Sequence, residues 1–316
     1  MPGGRVVALG GGHGLAQVLR ALRSLDVEPT AVVTAADDGG SSGRLRREFG
    51  GIGVGDLRMA LLALARNRDL ARLLAHRFDR GDLRGHALGN LALVAHVEEA
   101  GGDWRAALRG MEELLDCAGA VYPATEQPVR LGAVVAGARV DGQARVAKAQ
   151  GRIDDIWLDP PRPPAMPVAV AAVSRADLVL LGPGSLFTSV IATLLVTDLV
   201  AALRASSATV VYVGNICTQP GETSGMGVGA HVDALFRHVD GLRLDGVLLH
   251  DGPRGCGPAA PLEAAVDDPR AGRVLRADLV ARDGRGRPTA AHDPARLAAA
   301  LAPLVTRRPV SGGRDR

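Results

Sequence analysis

Short apolar runs recur along the chain, and most of them lead directly into a loop rich in glycine and polar residues. They cover residues 6–9, 31–34, 177–181, 209–213 and 246–250, and each has the length and continuity of a buried strand. Helical patterns lie between them, such as residues 15–22, where apolar side chains recur every three or four positions. This alternation predicts an α/β fold with three layers, α/β/α, around a mainly parallel sheet.

The spacing of apolar residues changes in the middle of the chain. From residue 129 to residue 158 apolar side chains alternate with polar ones, and the pair Asp141-Gly142 is typical of a primed hairpin turn. A proline-rich break follows at residues 160–164. We therefore predict one domain over residues 1–306 with a β-hairpin insertion at 129–160, and a flexible basic tail at 307–316.

The first glycine loop lies between the first predicted strand and the first predicted helix. Such a loop allows close backbone approach, and the helix N-terminus offers free N–H groups to a phosphate. The spacing is not the strict Gly-x-Gly-x-x-Gly, and no acidic residue follows the second strand where a dinucleotide ribose needs one. Phosphate contact and simple helix–sheet packing both explain the loop. Its candidate ligand-binding residues are Gly11, Gly12, His13 and Gly14.

Residues 35–43, Ala-Ala-Asp-Asp-Gly-Gly-Ser-Ser-Gly, directly follow the second apolar run. Two adjacent negative charges do not suit a plain phosphate cradle, and they point to a divalent cation, a sugar hydroxyl or a proton acceptor. Alternatively, the carboxylates only brace the turn. Further on, Asp56 stands at the position expected of a helix N-cap, and His86 precedes the start of another predicted helix. The candidates from these stretches are Asp37, Asp38, Gly39, Gly40, Ser41, Ser42, Asp56 and Asn90.

Two later strands, ending near residues 181 and 213, also lead into loops of glycine, hydroxyl and amide residues. The carboxyl ends of parallel strands meet at one edge of a sheet, so all four loops are expected to lie together. They predict a polar cleft suited to an extended ligand with phosphates and hydroxyls, such as a nucleotide or nucleotide sugar. The later loops add the candidates Gly184, Ser185, Asn215, Thr218 and Gln219.

Composition narrows the class of protein. Of the 316 residues, 47% are hydrophobic, which is typical of a globular protein. The formal net charge is only +3, so the composition does not indicate nucleic-acid binding. The N-terminus lacks a signal peptide and no uninterrupted apolar run reaches membrane-spanning length, which predicts a cytoplasmic protein with no membrane span. Cys117, Cys217 and Cys256 are far apart and odd in number, which favours reduced thiols over a disulfide framework.

Six motifs, taken in order, closely resemble those of the YvcK family, also called gluconeogenesis factors. The wider superfamily includes CofD, the 2-phospho-L-lactate transferase of coenzyme F420 biosynthesis, and the resemblance implies its Rossmann-like core. Three departures stand out: His13 replaces a usual Thr, Gly53-Val54 a usual Pro-Pro, and Ala192-Thr193 a common Pro-Asn. The motifs are Gly-Gly-Gly-x-Gly at 10–14, Ala-Asp-Asp-Gly-Gly-Ser-Ser-Gly at 36–43, Gly-Asp-Leu-Arg at 55–58, His-x-Leu-Gly-Asn at 86–90, Leu-Gly-Pro-Gly-Ser at 181–185 and Thr-Gln-Pro-Gly-Glu-Thr at 218–223.

The resemblance implies a regulator that binds UDP-activated amino sugars, such as UDP-N-acetylglucosamine, and supports cell shape and cell-wall synthesis under gluconeogenic growth. It also implies partners among cell-wall or kinase signalling proteins, and a homo-oligomer is left open. In this hypothesis the glycines of the first loop approach the diphosphate, and Gly184 and Ser185 add further hydrogen-bond donors to the ligand. Asn215 and Thr218 contact its sugar or base.

The alternative is a CofD-like transferase, in which Asp37 or Asp38 binds Mg²⁺ or activates an acceptor hydroxyl while the loops hold a nucleotide diphosphate donor. An NAD-dependent oxidoreductase is disfavoured, because the ribose-binding acid and a clear hydride-transfer acid pair are both absent.

Overall fold

The computed structural model describes residues 3–263 and 265–305. Its strands are β1 (Gly4–Gly10), β2 (Val27–Val33), β3 (Ala120–Pro123), β4 (Arg130–Val135), β5 (Ala138–Asp141), β6 (Ile153–Asp159), β7 (Leu178–Leu181), β8 (Thr209–Val213), β9 (Gly246–His250), β10 (Arg273–Ala277), β11 (Val280–Arg282) and β12 (Pro288–His292).

The α-helices are α1 (Gly12–Leu22), α2 (Gly40–Phe49), α3 (Gly55–Leu64), α4 (Arg68–Ala75), α5 (Leu88–Glu99), α6 (Trp104–Leu114), α7 (Gln143–Val146), α8 (Pro167–Arg175), α9 (Ala192–Leu194), α10 (Thr197–Ala205), α11 (Val228–His238) and α12 (Pro294–Val305). A π-helical turn, Leu186–Ile191, leads into α9, and a short 3₁₀ helix covers Pro269–Ala271.

Seven strands form a parallel sheet in the order β10-β9-β8-β7-β1-β2-β3. Residues 6–10 of β1 and all of β7 and β9 are buried, so helices or loops cover both faces of the central strands. This burial explains why the strands are continuous apolar runs rather than alternating ones. The predicted α/β fold with its mainly parallel sheet is confirmed.

The sheet reverses its direction of growth next to β1. The chain adds β2 and β3 on one side of β1, and then crosses to the other side to add β7, β8, β9 and β10. Leu9 of β1 pairs with Leu181 of β7, and Gly10 pairs with Val33 of β2, so the carboxyl ends of these strands are level. In open parallel sheets, such a switch point leaves a crevice in which ligands bind.

A separate three-stranded antiparallel sheet, in the order β5-β4-β6, occupies the predicted hairpin region. The position predicted for its turn was wrong. The tight turn is Ala136-Gly137, where both residues have positive φ angles of 49° and 79°, as a type I′ turn requires. The predicted pair Asp141-Gly142 instead ends β5 and begins α7, because the carboxylate of Asp38 accepts hydrogen bonds from two N–H groups of α7.

The two remaining strands, β11 and β12, form an antiparallel hairpin before α12, and α12 packs on α1. In the described ranges no single helix is long and apolar enough to cross a membrane, although one helix pair, Leu186–Leu194 with Thr197–Ala205, reaches that length jointly across a 68° bend. The predicted basic tail at 307–316 lies outside the described residues, and the assignment of one domain to 1–306 stays a prediction.

Candidate functional site

A groove of about 480 Å³ opens at the carboxyl end of the sheet, beside the switch point between β1 and β7. Most of the residues that line it come from the loops after β1, β7 and β8, from α1 and from β12. They include His13, Gly14, Gln17, Gly184, Asn215, Cys217, Thr218, Gln219, Ala290, Ala291 and His292.

The loops after β1 and β7 touch, and only glycine permits this at Gly14. A Cβ atom placed on Gly14 would overlap the carbonyl oxygen of Pro183 and lie 2.6 Å from its carbonyl carbon. Gly12, in the same loop, has a left-handed φ of 67° and faces open space. The side chain of His13 is exposed between these glycines and lines the groove instead of entering the loop contact.

The loops after β7 and β8 are joined by side-chain amides. Asn215 accepts a hydrogen bond from the Gly184 N–H (3.0 Å) and donates one to the Gly184 carbonyl (2.8 Å). Gln219 donates from Nε2 to the Ser185 hydroxyl at 3.0 Å. Thr218 accepts from the N–H of Ala260 at 3.0 Å. These predicted ligand residues therefore set the shape of the groove wall.

A buried carboxylate that was not among the predicted site residues holds the same region. Glu222 accepts hydrogen bonds from the Phe187 N–H (3.0 Å), the Thr188 N–H (3.4 Å) and the Thr188 hydroxyl (2.5 Å). Burial raises the pKa of Glu222. Its partners include the first free N–H groups of the π-helical turn, where a carboxylate is favourable. The motif Thr-Gln-Pro-Gly-Glu-Thr contained this residue, but only the fold shows which helix start it meets.

The C-terminal hairpin forms another wall, which sequence patterns did not predict. Ala290, Ala291 and His292 of β12 line the groove, and His292 donates from Nε2 to the Gly214 carbonyl at 3.1 Å. Burial lowers the pKa of His292 to about 4, so the ring is neutral at physiological pH. Because β12 is far away in sequence and carries no glycine loop, no local signal marks it as part of the site.

A disulfide between Cys217 and Cys256 lies in the groove wall, with the two Cα atoms 5.7 Å apart. The expectation that all three thiols are reduced was wrong. The separation of 39 residues concealed the proximity of the two cysteines, which arises because Cys217 pairs with Pro261 in an isolated bridge. The cysteine count therefore no longer supports a reducing compartment. Cys117 is free, and burial raises its pKa to about 12.

We expect peptide mapping without reductant to recover the peptides of Cys217 and Cys256 as one linked species. Iodoacetamide at pH 8 should modify Cys117 slowly in the folded protein, because a raised pKa leaves almost no thiolate, and rapidly after denaturation. Mass spectrometry measures both results. Alkylation of Cys217 and Cys256 without reductant would contradict the assigned bridge.

A second cluster of predicted residues lies behind the first glycine loop, around two buried carboxylates. Asp37 accepts hydrogen bonds from the Gly39 N–H (3.1 Å) and from the Ser42 hydroxyl. Ser42 in turn accepts from the Gly55 N–H at 2.8 Å. Burial raises the pKa of Asp37, and burial together with the charge of Asp37 raises the pKa of Asp56 to about 7.

Asp56 connects this cluster to the first glycine loop. It was predicted as a helix N-cap, and this was wrong: α3 begins at Gly55 after Val54, which makes no side-chain cap. The carboxylate of Asp56 instead accepts a hydrogen bond from the Gly12 N–H and lies against Gly11, where any Cβ atom would overlap its Oδ2 atom. The two carboxylates that act together are therefore Asp37 and Asp56.

Asp38, the second aspartate of the central stretch, has a separate role. Both of its oxygens accept hydrogen bonds from α7, from the N–H of Gln143 at 3.1 Å and from that of Ala144 at 2.8 Å. It therefore joins the loop after β2 to α7, a contact distant in sequence, whereas the local turn bond that the bracing alternative described is made by Asp37 with the Gly39 N–H. Gly39 and Gly40 form the start of α2, and Gly40 adopts a positive φ of 42°.

Ser41, His86 and Asn90 form a buried hydrogen-bonded group apart from the groove lining. Asn90 donates to the Ser41 hydroxyl at 3.0 Å, which leaves the hydroxyl proton for Nδ1 of His86, also at 3.0 Å. Burial lowers the pKa of His86. Among the described residues, the amide oxygen of Asn90 finds no hydrogen-bond partner. These predicted residues join α2 to α5 and do not line the groove.

The Mg²⁺ expectation can be tested against these ligands. In the described part of the chain, no group of three or more His, Cys, Asp or Glu residues could hold a metal ion. Asp37 and Asp56 form a pair of neighbouring carboxylates, and each already accepts hydrogen bonds, Asp37 from the Gly39 N–H and the Ser42 hydroxyl and Asp56 from the Gly12 N–H. Two carboxylates fit Mg²⁺ where phosphate oxygens and water complete the coordination.

The fold and the groove together define a class: a doubly wound α/β protein with glycine loops at the switch point and an acidic pair beneath the first loop. Residues 6–259 match the family model of "2-phospho-L-lactate transferase CofD". The chain belongs to the CofD family, within its gluconeogenesis factor branch, as the motifs implied.

Two relatives bear the name gluconeogenesis factor in a provisional form. The one from Deinococcus radiodurans is 44% identical over 96% of this chain, which spans 66% of that relative's length. The one from Mycobacterium tuberculosis is 41% identical over 98% of this chain and 97% of its own length. A crystal structure of a Bacillus halodurans protein has a TM-score of 0.87 at 33% identity, covering 95% of this chain and 99% of that one.

Proposed function

We propose that this chain is a cytoplasmic regulator that binds a nucleotide sugar of the UDP-N-acetylglucosamine type. The observation that carries the proposal is the groove at the switch point, because its lining combines glycines, three side-chain amides, a threonine and alanines with two histidines. A nucleotide sugar presents a diphosphate, hydroxyls and a flat base, which match N–H donors, amides and small apolar surfaces respectively.

The role of each groove element follows from its chemistry. The N–H groups of His13 and Gly14, at the start of α1, would bind the diphosphate with the helix dipole, while the Gly12 N–H bonds to Asp56. Gln17 and Gln219 would contact sugar or base through their amides, and the small apolar surface of Ala290 and Ala291 would pack against an apolar face of the ligand. Binding would report the supply of activated amino sugar and so govern cell shape and cell-wall synthesis during gluconeogenic growth, through a cell-wall or kinase signalling partner.

A CofD-like transferase is the second candidate, and one observation favours it. Asp56 accepts the Gly12 N–H, and burial together with the charge of the neighbouring Asp37 raises the pKa of Asp56 to about 7, while burial also raises the pKa of Asp37. Such a pair can accept a proton from an acceptor hydroxyl. When bound, Mg²⁺ would neutralise charge on a nucleotide diphosphate donor, and Asp37 with Asp56 would hold it.

Isothermal titration calorimetry with UDP-N-acetylglucosamine, GDP and NADH, each with and without Mg²⁺, separates the candidates when ligand consumption is assayed in parallel. We expect selective binding of the UDP-sugar without turnover. Replacing the exposed His13 with alanine should weaken this binding about fivefold, roughly 1 kcal/mol, because its side chain lines the groove.

The matched control is His76→Ala, since His76 is also exposed but does not line the groove. It should leave the affinity unchanged. Preference for GDP, or conversion of a ligand that is lost in Asp37→Asn, would replace the regulator with the transferase. Absence of binding by every nucleotide would refute both.

A further inference from the structure

A second cavity, of about 440 Å³, opens on the other side of His13 between α1, α3 and α4, and we call it the arginine cavity. Its floor and walls carry alanine, leucine and methionine side chains of these helices. Its polar lining consists of His13, Arg20, Arg58, Arg68, Arg72 and Arg77.

Most of the arginines of this cavity have no carboxylate at ion-pair distance among the described residues. Within residues 3–263 and 265–305, no acidic residue lines it, and of its arginines only Arg72 has a carboxylate at ion-pair distance, that of Asp69 at 3.1 Å. Arg68 and Arg77 donate to backbone carbonyls, which do not neutralise a positive charge. Five guanidinium groups of one sign therefore face a common space, and such a space concentrates anions.

Arg58 is the most informative member of the set. Its side chain is buried, with 8% of the residue exposed, and its Nε atom has no hydrogen-bond partner in the described part of the chain. Burying an unpaired cation is unfavourable unless a counter-charge is present. Burial and the nearby Arg77 lower the pKa of Arg58, and the charges of Asp56 and Asp37 act in the opposite direction without reaching ion-pair distance in the described residues. The mouth of the cavity, in contrast, is formed by the exposed Arg68 and Arg72.

We propose that the arginine cavity is a binding site for the phosphate groups of a small phosphorylated molecule. Guanidinium groups match phosphate oxygens with paired N–H donors, and Arg58 at the base supplies the unpaired donor that such a group would satisfy. The volume exceeds the need of a single ion, since one water occupies about 30 Å³, so the ligand carries an organic part that packs on the apolar wall.

Two sources of such a phosphate are distinguishable. His13 lines both the groove and the arginine cavity, so the phosphates of a groove ligand could extend past it. Alternatively, a separate phosphorylated metabolite occupies the cavity as a second ligand. The site goes beyond the proposed function and does not depend on it, because phosphate binding can be measured with the groove empty.

The test is a calorimetric titration of the full chain with inorganic pyrophosphate at constant ionic strength. We expect Arg68→Gln to weaken pyrophosphate binding at least fivefold. Arg58→Lys, which keeps the charge but loses the planar donor set, should also weaken it. The matched control is Arg47→Gln, which removes the same charge from an exposed arginine of α2 outside the cavity and should change the affinity less than twofold.

A repeat titration with saturating UDP-N-acetylglucosamine then identifies the source of the phosphate. Unchanged pyrophosphate affinity indicates a separate phosphorylated ligand, and competition indicates one molecule that spans both cavities. The proposal is overturned if pyrophosphate does not bind, if Arg68→Gln leaves its affinity unchanged, or if Arg47→Gln weakens it equally. An unchanged affinity in Arg68→Gln would mean that pyrophosphate binds in the groove alone, and the proposed function would then still stand.

Discussion

Replacing Gly14 with alanine is expected to lower the free energy of unfolding by about 3 kcal/mol and to abolish ligand binding in the groove. The new Cβ atom would overlap the backbone of Pro183, which has no rotamer by which to move away. The loops after β1 and β7 must then separate, and this changes the spacing of the N–H groups at the phosphate end of the groove. Urea unfolding and calorimetric titration measure the two effects.

Gly12→Ala is the matched control, because Gly12 lies in the same loop but a Cβ atom there would meet nothing within 4 Å. Its left-handed φ of 67° should cost about 1 kcal/mol of stability. If both variants lose the same stability and affinity, close contact between the loops is not what Gly14 provides.

Replacing Asp56 with asparagine is expected to stabilise the protein increasingly as the pH rises from 5 to 8. The pKa of Asp56 is about 7 in the folded protein, above its ordinary value of 3.8, so the folded state binds this proton more tightly than the unfolded state. Stability contributed by this group is therefore full below its ordinary pKa of 3.8, is lost progressively as the pH rises from there to the folded pKa of about 7, and changes no further above it. At about 1.4 kcal/mol per pKa unit, the loss has an upper bound of about 4 kcal/mol.

The carboxamide introduced by Asp56→Asn would still accept a hydrogen bond from the Gly12 N–H through its oxygen, but it would not ionise. The free energy of unfolding of the variant would therefore not fall with pH at this site. The measurement is the free energy of unfolding of both proteins at pH 5, 6, 7 and 8. Asp82→Asn, which removes one carboxylate from an exposed loop position, is the control for the loss of a negative charge. A constant difference for Asp56→Asn would show that Asp56 is ionised throughout.

These two variants probe one structural unit. Gly14 holds the first glycine loop against the loop after β7, and Asp56 holds the same loop from beneath through Gly12. A change in the protonation of the Asp37–Asp56 pair would therefore act on the first glycine loop through the Gly12 N–H. If the transferase hypothesis is correct, the same connection would place a proton acceptor next to the bound diphosphate.

The local sequence determined the parallel strands and the loops that follow them, because a strand buried on both faces requires a continuous apolar run and a close turn requires glycine. Residues 6–9 and the glycines after them are examples that needed no tertiary information. The meeting of His13, Gly184, Asn215 and Gln219 at one groove also followed, since the carboxyl ends of parallel strands share an edge.

Only the tertiary structure decided which polar groups face each other. Adjacent Asp37 and Asp38 looked like a pair, yet the backbone directs Asp38 to α7 and brings Asp37 to Asp56 from another helix. The disulfide of Cys217 with Cys256 and the groove wall from β12 likewise join segments far apart in sequence. Secondary-structure propensity and the periodicity of apolar residues are local properties of a few neighbouring residues. These contacts depend instead on the order of the strands and on the packing of whole helices and strands.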